Sequence, residues 1–250
     1  MKKLQHAVMA LLAVSVVWSQ STLAQEQAVK SNPAEFFACN WQKGKDMQDL
    51  QKVGEAFAEW STANDGNYSA WILTPQLHSS DLGFEVGWLG AWPDNNAFGK
   101  GQDAWQTGGR ELAADFAKVV DCSISHEMAS VVPLNAPDGP PADGVVVFTP
   151  CTVSEGKTLA DSHAFHTKMA AASKAEVASY LFYPGMGSGN LPFDYWLVFA
   201  TQNYTQLGAA MEMYSNGGGY QKAQAASAGI TSCGASTVFD ATVVLQGQAS

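Results

Sequence analysis

An internal repeat is the feature of this sequence that most narrows its possible folds, because both halves must then form the same kind of unit. Residues that recur 112 positions later are Cys39 and Cys151, Gly44 and Gly156, Lys45 and Lys157, Asp49 and Asp161, and Tyr68 and Tyr180. Residues that recur 109 to 111 positions later are Phe84 and Phe193, Trp105 and Tyr214, Gly108-Gly109 and Gly217-Gly218, and Cys122 and Cys233. So many matches in the same order are hard to obtain by chance, and they predict a duplicated structure.

The first 24 residues are typical of a signal peptide. Met1-Lys2-Lys3 supplies a positive start, Ala7 to Trp18 is an apolar segment, and Thr22-Leu23-Ala24 ends in a small residue suited to cleavage. We therefore expect cleavage near Ala24 and a mature chain that starts at Gln25, in the periplasm or outside the cell. The apolar segment is too short to span a bilayer comfortably, so membrane insertion is not expected.

Composition and charge argue against several kinds of partner. The formal net charge is −10, from 13 basic and 23 acidic side chains. Because nucleic acids and anionic membranes attract clustered Lys and Arg, neither is an expected partner. With 46% hydrophobic and 14% charged residues, the chain can build packed cores and is expected to be globular.

A proline-rich segment divides the sequence into two units. Residues 134–143 contain Pro137, Pro140 and Pro141 and are expected to form a linker. We predict one unit over residues 25–133 and a second over residues 144–250, each close to the usual size of a small domain.

The hydrophobic pattern predicts the element order β-α-β-β-α-β in both units. In the first unit the predicted strands are Ala34–Trp41, Tyr68–Thr74, Phe84–Trp92 and Cys122–Val132, and the helices are Lys45–Ser61 and Pro93–Val119. In the second unit the predicted strands are Val145–Pro150, Val177–Tyr183, Phe193–Thr201 and Thr237–Leu245, and the helices are Thr158–Lys174 and Tyr204–Ala228. This order is that of the ferredoxin-like fold, in which four antiparallel strands carry both helices on one face.

The predicted strands are apolar on both faces. In the segment Phe193–Ala200, both alternating sets of side chains are mainly apolar. A strand with two apolar faces needs cover on both of them. Since the helices cover one face, we expect the sheet of one unit to pack on the sheet of the other. The fold class is then α+β, with the barrel closed within one chain.

This combination of element order, duplication and two-sided strands resembles the dimeric α/β-barrel superfamily, in its tandem form with two ferredoxin-like halves on one chain. Members of this superfamily include antibiotic biosynthesis monooxygenases, muconolactone isomerases, chlorite dismutases and dye-decolourising peroxidases. The resemblance covers nearly all of the chain after residue 24 and implies a pseudo-twofold barrel. No motif here selects one member family, so no catalytic residue or cofactor is carried over.

His163 and His166 are the candidate catalytic residues. They stand three apart on the predicted helix Thr158–Lys174, close enough on one face to share a ligand. His166 is 112 residues after Gly54 and therefore occupies the same position in the repeat. Gly54 is on the core-facing side of its predicted helix, so His166 places a side chain where the first half has none. His166 could then reach a cavity as a base or an iron ligand, or both histidines are structural. Two histidines without further ligands do not indicate a metal site.

Large aromatic residues are concentrated on or beside the predicted strands. The candidate ligand-binding residues among them are Trp71, Trp88, Tyr180, Tyr195 and Trp196. Such rings could line a pocket for a flat apolar ligand. The alternative is that they simply fill the interior of a wide barrel.

Two glycine features receive structural interpretations. Gly44-Lys45 and Gly156-Lys157 resemble part of a phosphate-binding loop, but the first glycine of that motif is absent from both copies. We interpret them as joints between a strand and a helix. The paired glycines Gly108-Gly109 and Gly217-Gly218 are interpreted as breaks in helices.

Three kinds of function remain open. The first is a binding module that holds a small apolar or aromatic molecule in an aromatic-lined barrel, favoured because the sequence shows no assembled set of acid, base and nucleophile. The second is an oxygenase, isomerase or haem-dependent enzyme of the kind that the resemblance implies, using His166. The third is a structural protein that offers its strand edges or acidic surface to another chain.

The four cysteines predict two disulfides, Cys39 with Cys122 and Cys151 with Cys233. In the ferredoxin-like order the first and last strands are antiparallel neighbours, so each pair should meet at one edge of the sheet. Export from the cytoplasm makes oxidation expected. The alternative is four free thiols.

Overall fold

The computed structural model describes residues 29–136, 139–140, 142–173 and 177–247. The first half holds β1 (Asn32–Trp41), α1 (Met47–Ala63), β2 (Ser69–Leu77), β3 (Val86–Ala91), α2 (Asn95–Gly108), α3 (Arg110–Val119) and β4 (Val120–Asn135). The second half holds β5 (Gly144–Val153), α4 (Leu159–Ala172), β6 (Ala178–Pro184), β7 (Tyr195–Thr201), α5 (Tyr204–Ser215), α6 (Gly219–Ser227), β8 (Thr231–Cys233) and β9 (Thr237–Leu245). The predicted signal peptide and the predicted helix end at Lys174 lie outside the described residues.

Eight of the nine strands in the described residues form a closed antiparallel barrel. The order around the barrel is β7, β6, β4, β1, β3, β2, β9 and β5, and β5 pairs with β7 to close the ring. The short β8 pairs with the end of β5. This arrangement confirms that the barrel is closed within one chain.

The two halves are joined along both edges of their sheets. One seam pairs β4 with β6, and the other pairs β2 with β9. The expected packing of one sheet on the other therefore takes the form of one continuous barrel wall. Pairing at the seams satisfies backbone N–H and C=O groups that the edges of two separate sheets would leave open.

Alternate residues of each strand face the barrel interior or the helices. On β1, Ala34 and Phe36 belong to apolar clusters inside the barrel, whereas Phe37 and Cys39 pack in a cluster with Leu50 of α1. The sheet therefore buries a separate apolar layer on each face, as its two-sided strands predicted. None of the six helices in the described ranges has the length and hydropathy that a membrane crossing requires.

Each of the two long helical segments predicted near residues 93–119 and 204–228 is divided at a glycine. Gly109 separates α2 from α3, and Gly218, with φ of +78°, separates α5 from α6. A Cβ at Gly109 would collide with the ring of Trp105 on the preceding turn. These positions confirm that the paired glycines break helices.

Strand register corrects one match of the repeat, that of Tyr68 with Tyr180. Trp71 lies opposite Leu89 in the first half, and Tyr180 lies opposite Val198 in the second. Because Leu89 and Val198 are 109 residues apart, the residue that corresponds to Tyr180 is Trp71 and not Tyr68. Tyr180 packs inside the barrel, whereas Tyr68 packs on the helix side of the sheet. The cause is helix length, because α1 has 17 residues and α4 has 14, which shortens the spacing between the halves by three.

The Gly-Lys segments form turns between a strand and a helix in both halves. Gly44 and Gly156 both have φ of +75°, a left-handed conformation that glycine adopts without steric cost. Lys45 pairs with Asp49 on the following helix at 3.2 Å. The structure thus confirms the structural interpretation of these segments.

Both predicted disulfides are present. Cys39–Cys122 joins β1 to β4, and Cys151–Cys233 joins β5 to β8, with Cα atoms 4.0 Å apart in each. Cys233 lies in β8 and not at the start of β9, because residues 234–236 interrupt the last strand. The described residues contain no free cysteine. Two structural disulfides are characteristic of an oxidising, extracytoplasmic environment.

Candidate ligand-binding site

A cavity of about 670 Å³ lies between the helices and the sheet of the first half, and we call it the outer cavity. Strand residues form its floor, and residues of α1, α2 and α3 form its remaining walls. Its aromatic lining residues are Phe37, Phe57, Trp60, Tyr68, Trp88, Trp92, Trp105 and Phe116. Small-molecule sites typically have volumes of roughly 300 to 1,000 Å³ and apolar walls with a few polar groups.

Phe57 of α1 organises the rings around the outer cavity. Its centroid lies 5.5 to 6.1 Å from the centroids of five other aromatic rings, and four of these five contacts are edge-to-face. Gly54, one turn earlier, allows α1 to lie close to the sheet, since a Cβ there would come within 2.9 Å of Val244. In an edge-to-face contact the edge of one ring lies against the face of the other, so these contacts hold the rings at steep angles to one another around the cavity.

A buried carboxylate is the polar centre of the outer cavity. Glu35 is 6% exposed, and its two oxygens have different partners. The hydroxyl of Tyr68 donates to Oε1 at 2.7 Å, and Nε2 of His126 lies 2.9 Å from Oε2. The indole Nε1 of Trp88 donates to the Tyr68 oxygen at 2.9 Å. These four residues form one hydrogen-bonded chain, which we call the polar chain.

Tyr68 is a neutral phenol within the polar chain. Burial raises the pKa of Tyr68 well above its usual value, and the charge of the nearby Glu35 raises it further. The Tyr68 proton therefore remains in the hydrogen bond to Glu35, while the Tyr68 oxygen accepts from Trp88. The indole N–H of Trp88 therefore donates a hydrogen bond to Tyr68, and the hydroxyl of Tyr68 donates one to Glu35.

His126 is the exposed end of the polar chain. Its side chain is 48% exposed, and its ring stacks on Phe37 with centroids 3.8 Å apart. The stacking and the contact with Glu35 together fix the orientation of the ring. An imidazole held by a carboxylate can exchange a proton with a ligand or hydrogen-bond to its polar group. His126 and Glu35 are therefore the residues best placed for chemistry in this cavity.

Glu35 and His126 are functional candidates that sequence reasoning missed. They are 91 residues apart, and neither recurs in the other half, so no short motif connects them. One weak signal existed. Glu35 is the one charged residue in the predicted strand Ala34–Trp41, and a charged side chain on an apolar strand needs a partner when it is buried.

The predicted catalytic histidines lie in the second half. His166 is 6% exposed, and its Nε2 is 2.8 Å from the hydroxyl of Tyr195. That hydroxyl also accepts from Ser162 and lies 2.6 Å from the hydroxyl of Thr231. His163 is half-buried on α4. Neither histidine lines the outer cavity.

The surroundings of His166 favour its neutral form. Burial lowers the pKa of His166 from 6.5 to about 4, with a smaller contribution from the charge of His163. Thr231 donates to the carbonyl of Thr152, so its oxygen accepts from Tyr195. Tyr195 then receives the hydrogen bond of His166. A neutral, hydrogen-bonded histidine of this kind is typical of a structural role.

Comparison of the two halves supports the same interpretation. Ser162, His166, Tyr195 and Thr231 surround one hydroxyl group in the second half. The residues at the matching positions of the first half are Leu50, Gly54, Val86 and Val120. All of these except the glycine belong to an apolar core cluster. A hydrogen-bonded network thus replaces apolar packing at the same place in the fold.

The five aromatic residues predicted to bind a ligand fall in three places. Trp88 lines the outer cavity. Trp71, Tyr180 and Trp196 pack inside the barrel, whereas Tyr195 is fully buried beside His166. Strand periodicity explains the division, because Tyr195 and Trp196 are adjacent and therefore face opposite sides of the sheet.

Solved structures share this fold. A monooxygenase-like protein of Fusobacterium nucleatum subsp. nucleatum superposes with a TM-score of 0.56 at 10% identity, over 89% of this chain and 95% of that one. A chlorite dismutase-like protein gives a TM-score of 0.53 at 13% identity, over 86% and 96%. A variant chlorite dismutase of Candidatus Nitrospira defluvii gives 0.50 at 9% identity, over 86% and 93%.

The chain therefore has the fold of the dimeric α/β-barrel superfamily, as its element order and duplication indicated. No protein-family model matches the sequence, and no curated protein matches it. Identities of 9 to 13% show the fold alone.

Proposed function

We propose that this protein binds a flat apolar or aromatic small molecule in the outer cavity, with His126 presenting a polar group to it. The observation that carries the proposal is the buried Glu35, which holds both Tyr68 and His126 on the wall of an aromatic cavity. The sequence predicts such a ligand inside the barrel. The outer cavity is favoured because it combines the greater volume with the polar chain.

The proposal extends to the architecture and location of the protein. We interpret the two halves as tandem ferredoxin-like units, over residues 25–133 and 144–250, joined by a linker at 134–143. The two disulfides and the leader predicted from the sequence support an exported protein, in the periplasm or outside the cell. An exported binder of apolar molecules needs a cavity that excludes water from the ligand, and the aromatic lining of the outer cavity supplies it.

A second candidate function is acid-base catalysis by His126. The specific observation in its favour is the 2.9 Å contact between His126 and Glu35, because a carboxylate bonded to one ring nitrogen fixes the orientation of the imidazole and leaves the other nitrogen to act on a ligand. A ligand with an acidic O–H or C–H group could lose its proton to such a ring. The monooxygenase-like and chlorite dismutase-like proteins with this fold agree with an enzyme only at the level of fold. His126 is a better candidate for this role than His166, because His166 is buried and hydrogen-bonded to Tyr195.

Both candidate histidines use one ring nitrogen in a hydrogen bond. Nε2 of His126 lies against Glu35, and Nε2 of His166 lies against Tyr195. Haem iron in proteins is held by a side chain such as histidine, so either ring would have to bind it through Nδ1. The proposed function does not depend on haem.

The role of His126 is tested with two ligands that differ by one hydroxyl group, naphthalene and 2-naphthol. Calorimetric titration should show that 2-naphthol binds more tightly than naphthalene. In His126→Gln this preference should shrink by about threefold to tenfold, the usual worth of one hydrogen bond, while naphthalene binding stays unchanged. His78→Gln is the matched control, since His78 is exposed and lies outside the cavity. If His126→Gln preferred 2-naphthol over naphthalene as strongly as His78→Gln does, the role of His126 would be contradicted.

A further inference from the structure

A second cavity, of about 360 Å³, lies inside the barrel and opens at one end, and we call it the inner cavity. The phenylalanines that line it come from both halves of the chain and are Phe36, Phe84, Phe148, Phe182, Phe193 and Phe239. Ile124, also on its lining, is 44% exposed, which places the opening near the start of β4. The inner cavity is thus an apolar chamber that solvent can reach.

Glu127 of β4 places a carboxyl group on this apolar wall. It lies opposite Phe36 in strand register and shares the barrel-facing side of the sheet with it. Glu35 also borders the cavity, but its carboxylate is hydrogen-bonded to Tyr68 on the helix side. Among the described residues, no lysine or arginine lines the inner cavity. Glu127 therefore has an unbalanced charge facing the chamber.

The loop between β6 and β7 supports Glu127 at the mouth. The backbone N–H of Met128 donates to the carbonyl of Met186 at 2.7 Å, and that of Gly185 donates to the carbonyl of Met128 at 2.8 Å. In the same loop the hydroxyl of Ser188 donates to the carbonyl of Met128 at 3.4 Å and lies beside the Glu127 carboxyl. Burial raises the pKa of Glu127, and the Ser188 hydrogen bond opposes that shift in part. The carboxylate has lost part of its hydration, so a cationic partner would stabilise it.

The carboxyl group has no counterpart in the other half. Glu127 lies opposite Phe36, whereas the residue opposite Phe148 is Thr237. The phenylalanines at these positions recur at the repeat spacing of 112. Both halves therefore contribute phenylalanines to the wall of the inner cavity, but only the first half contributes a carboxyl group at this position, that of Glu127. A barrel of this kind can close without the acid, which points to a role other than packing.

We infer that the inner cavity binds a hydrophobic amine, with its ammonium group at Glu127 and its apolar body among the phenylalanine rings. A carboxylate accepts a charge-assisted hydrogen bond from an ammonium group. Aromatic faces also attract cations. The same features reject an anionic ligand, because a second carboxylate in the chamber would repel the first. This site is separate from the outer cavity and does not depend on the function proposed for it.

Three ligands with one ring system and different head groups test the inference: 2-naphthylmethylamine, 2-naphthylmethanol and 2-naphthoate. They are titrated calorimetrically into Ala104→Phe, a variant in which an added ring narrows the outer cavity. The amine should bind at least about tenfold more tightly than the alcohol, as expected for one charge-assisted hydrogen bond. The carboxylate should show no binding. Equal binding of the amine and the alcohol, or no binding of the amine, would overturn the inference.

Glu127→Gln in the same background separates the carboxyl group from the rings. Its preference for the amine over the alcohol should disappear, while retained binding of the alcohol shows that the chamber is intact. Glu111→Gln removes the same charge from an exposed position on α3 and should keep the preference. A preference that survives Glu127→Gln would overturn the inference. The change that His126→Gln causes in the naphthol titrations stays separate from either outcome, because His126 lines the outer cavity and not the inner one.

Discussion

Tyr68 joins the two buried partners of the polar chain, Glu35 and Trp88. In Tyr68→Phe the carboxylate and the indole N–H both lose this hydrogen-bonding partner while they remain buried. We expect the free energy of unfolding to fall by about 1 to 3 kcal/mol, the usual cost of an unsatisfied buried polar group. Urea denaturation at neutral pH measures the change.

Tyr214→Phe is the matched control for this prediction. Tyr214 is 49% exposed, so the loss of its hydroxyl should change the free energy of unfolding by less than about 0.5 kcal/mol. If the two variants lost the same stability, the polar chain would not contribute to the fold.

His166 predicts a pH dependence of stability. Its pKa is about 4 in the folded protein against 6.5 for the free side chain. Between these values the unfolded chain binds a proton that the folded protein does not, so stability falls as the pH falls from 6.5 towards 4. Above 6.5 this group makes no pH-dependent contribution. The loss is up to about 3 kcal/mol, because each pKa unit corresponds to 1.36 kcal/mol.

Denaturation of His166→Gln between pH 4 and pH 7 checks this prediction. The variant should be less pH-dependent than the wild type across that window. His163→Gln should retain most of the dependence, because burial is the larger cause of the pKa shift and the charge of His163 is the smaller one. A wild-type stability that is flat between pH 4 and 6.5 would contradict the burial of His166.

Single residues differed in how far the sequence could predict them. The cysteine pairs were predictable because each cysteine lies near the end of a strand whose neighbour the fold specifies. Glu35 and His126 were not predictable, because only the strand register of β1 and β4 brings two residues 91 positions apart into contact. His166 was expected on the inward face of its helix, and its side chain is buried. What it meets there, the hydroxyl of Tyr195, depends on packing that a single sequence does not reveal.

At the level of elements, each disulfide ties the first strand of its half to a strand late in that half, β1 to β4 and β5 to β8. The bridged cysteines are 83 residues apart in the first half and 82 in the second. A cross-link over a loop of this size lowers the entropy of the unfolded chain and stabilises the fold by roughly 4 kcal/mol. Replacing either pair by alanine should therefore lower the free energy of unfolding by a similar amount. Urea denaturation of Cys39→Ala/Cys122→Ala and of Cys151→Ala/Cys233→Ala tests this.

The two double variants serve as controls for each other. Nearly equal losses are expected, since the loops differ by one residue. Losses below about 1 kcal/mol in both would contradict the loop-entropy account of these bridges.

Helices and strands were largely predictable from periodicity, and their interruptions and register less so. The glycine pairs indicated where the helices break, because glycine commonly ends a helix. The three-residue difference between α1 and α4 was not visible in the hydrophobic pattern. Because of this difference, β2 and β6 are 109 residues apart and not 112. The sequence comparison at a spacing of 112 therefore matched Tyr68 with Tyr180 incorrectly.

At the level of the whole molecule, two seams make the halves depend on each other. The pairing of β4 with β6 and of β2 with β9 means that neither half can unfold without opening the barrel. We therefore expect one cooperative transition. Native-state hydrogen exchange should give the slowest amides of β1 and β6 the same free energy of opening. Opening of β6 at a clearly lower free energy than β1 would show that the halves unfold separately.

The existence of a closed barrel was predictable because strands with two apolar faces demand cover on both. The position of the outer cavity was not predictable, because it depends on how α2 and α3 pack relative to the sheet around Phe57.

The central claim is that the outer cavity binds a flat apolar molecule. N-phenyl-1-naphthylamine, whose fluorescence rises in apolar surroundings, tests it in one titration of the wild type, Ala104→Phe and Ala114→Phe. Ala104 lines the cavity, whereas Ala114 is exposed on α3 outside the lining. We predict saturable binding to the wild type and to Ala114→Phe, and a loss of at least about tenfold in Ala104→Phe, in which the added ring occupies the ligand's space. Equal affinity for all three proteins, or no saturable binding to the wild type, would contradict the account.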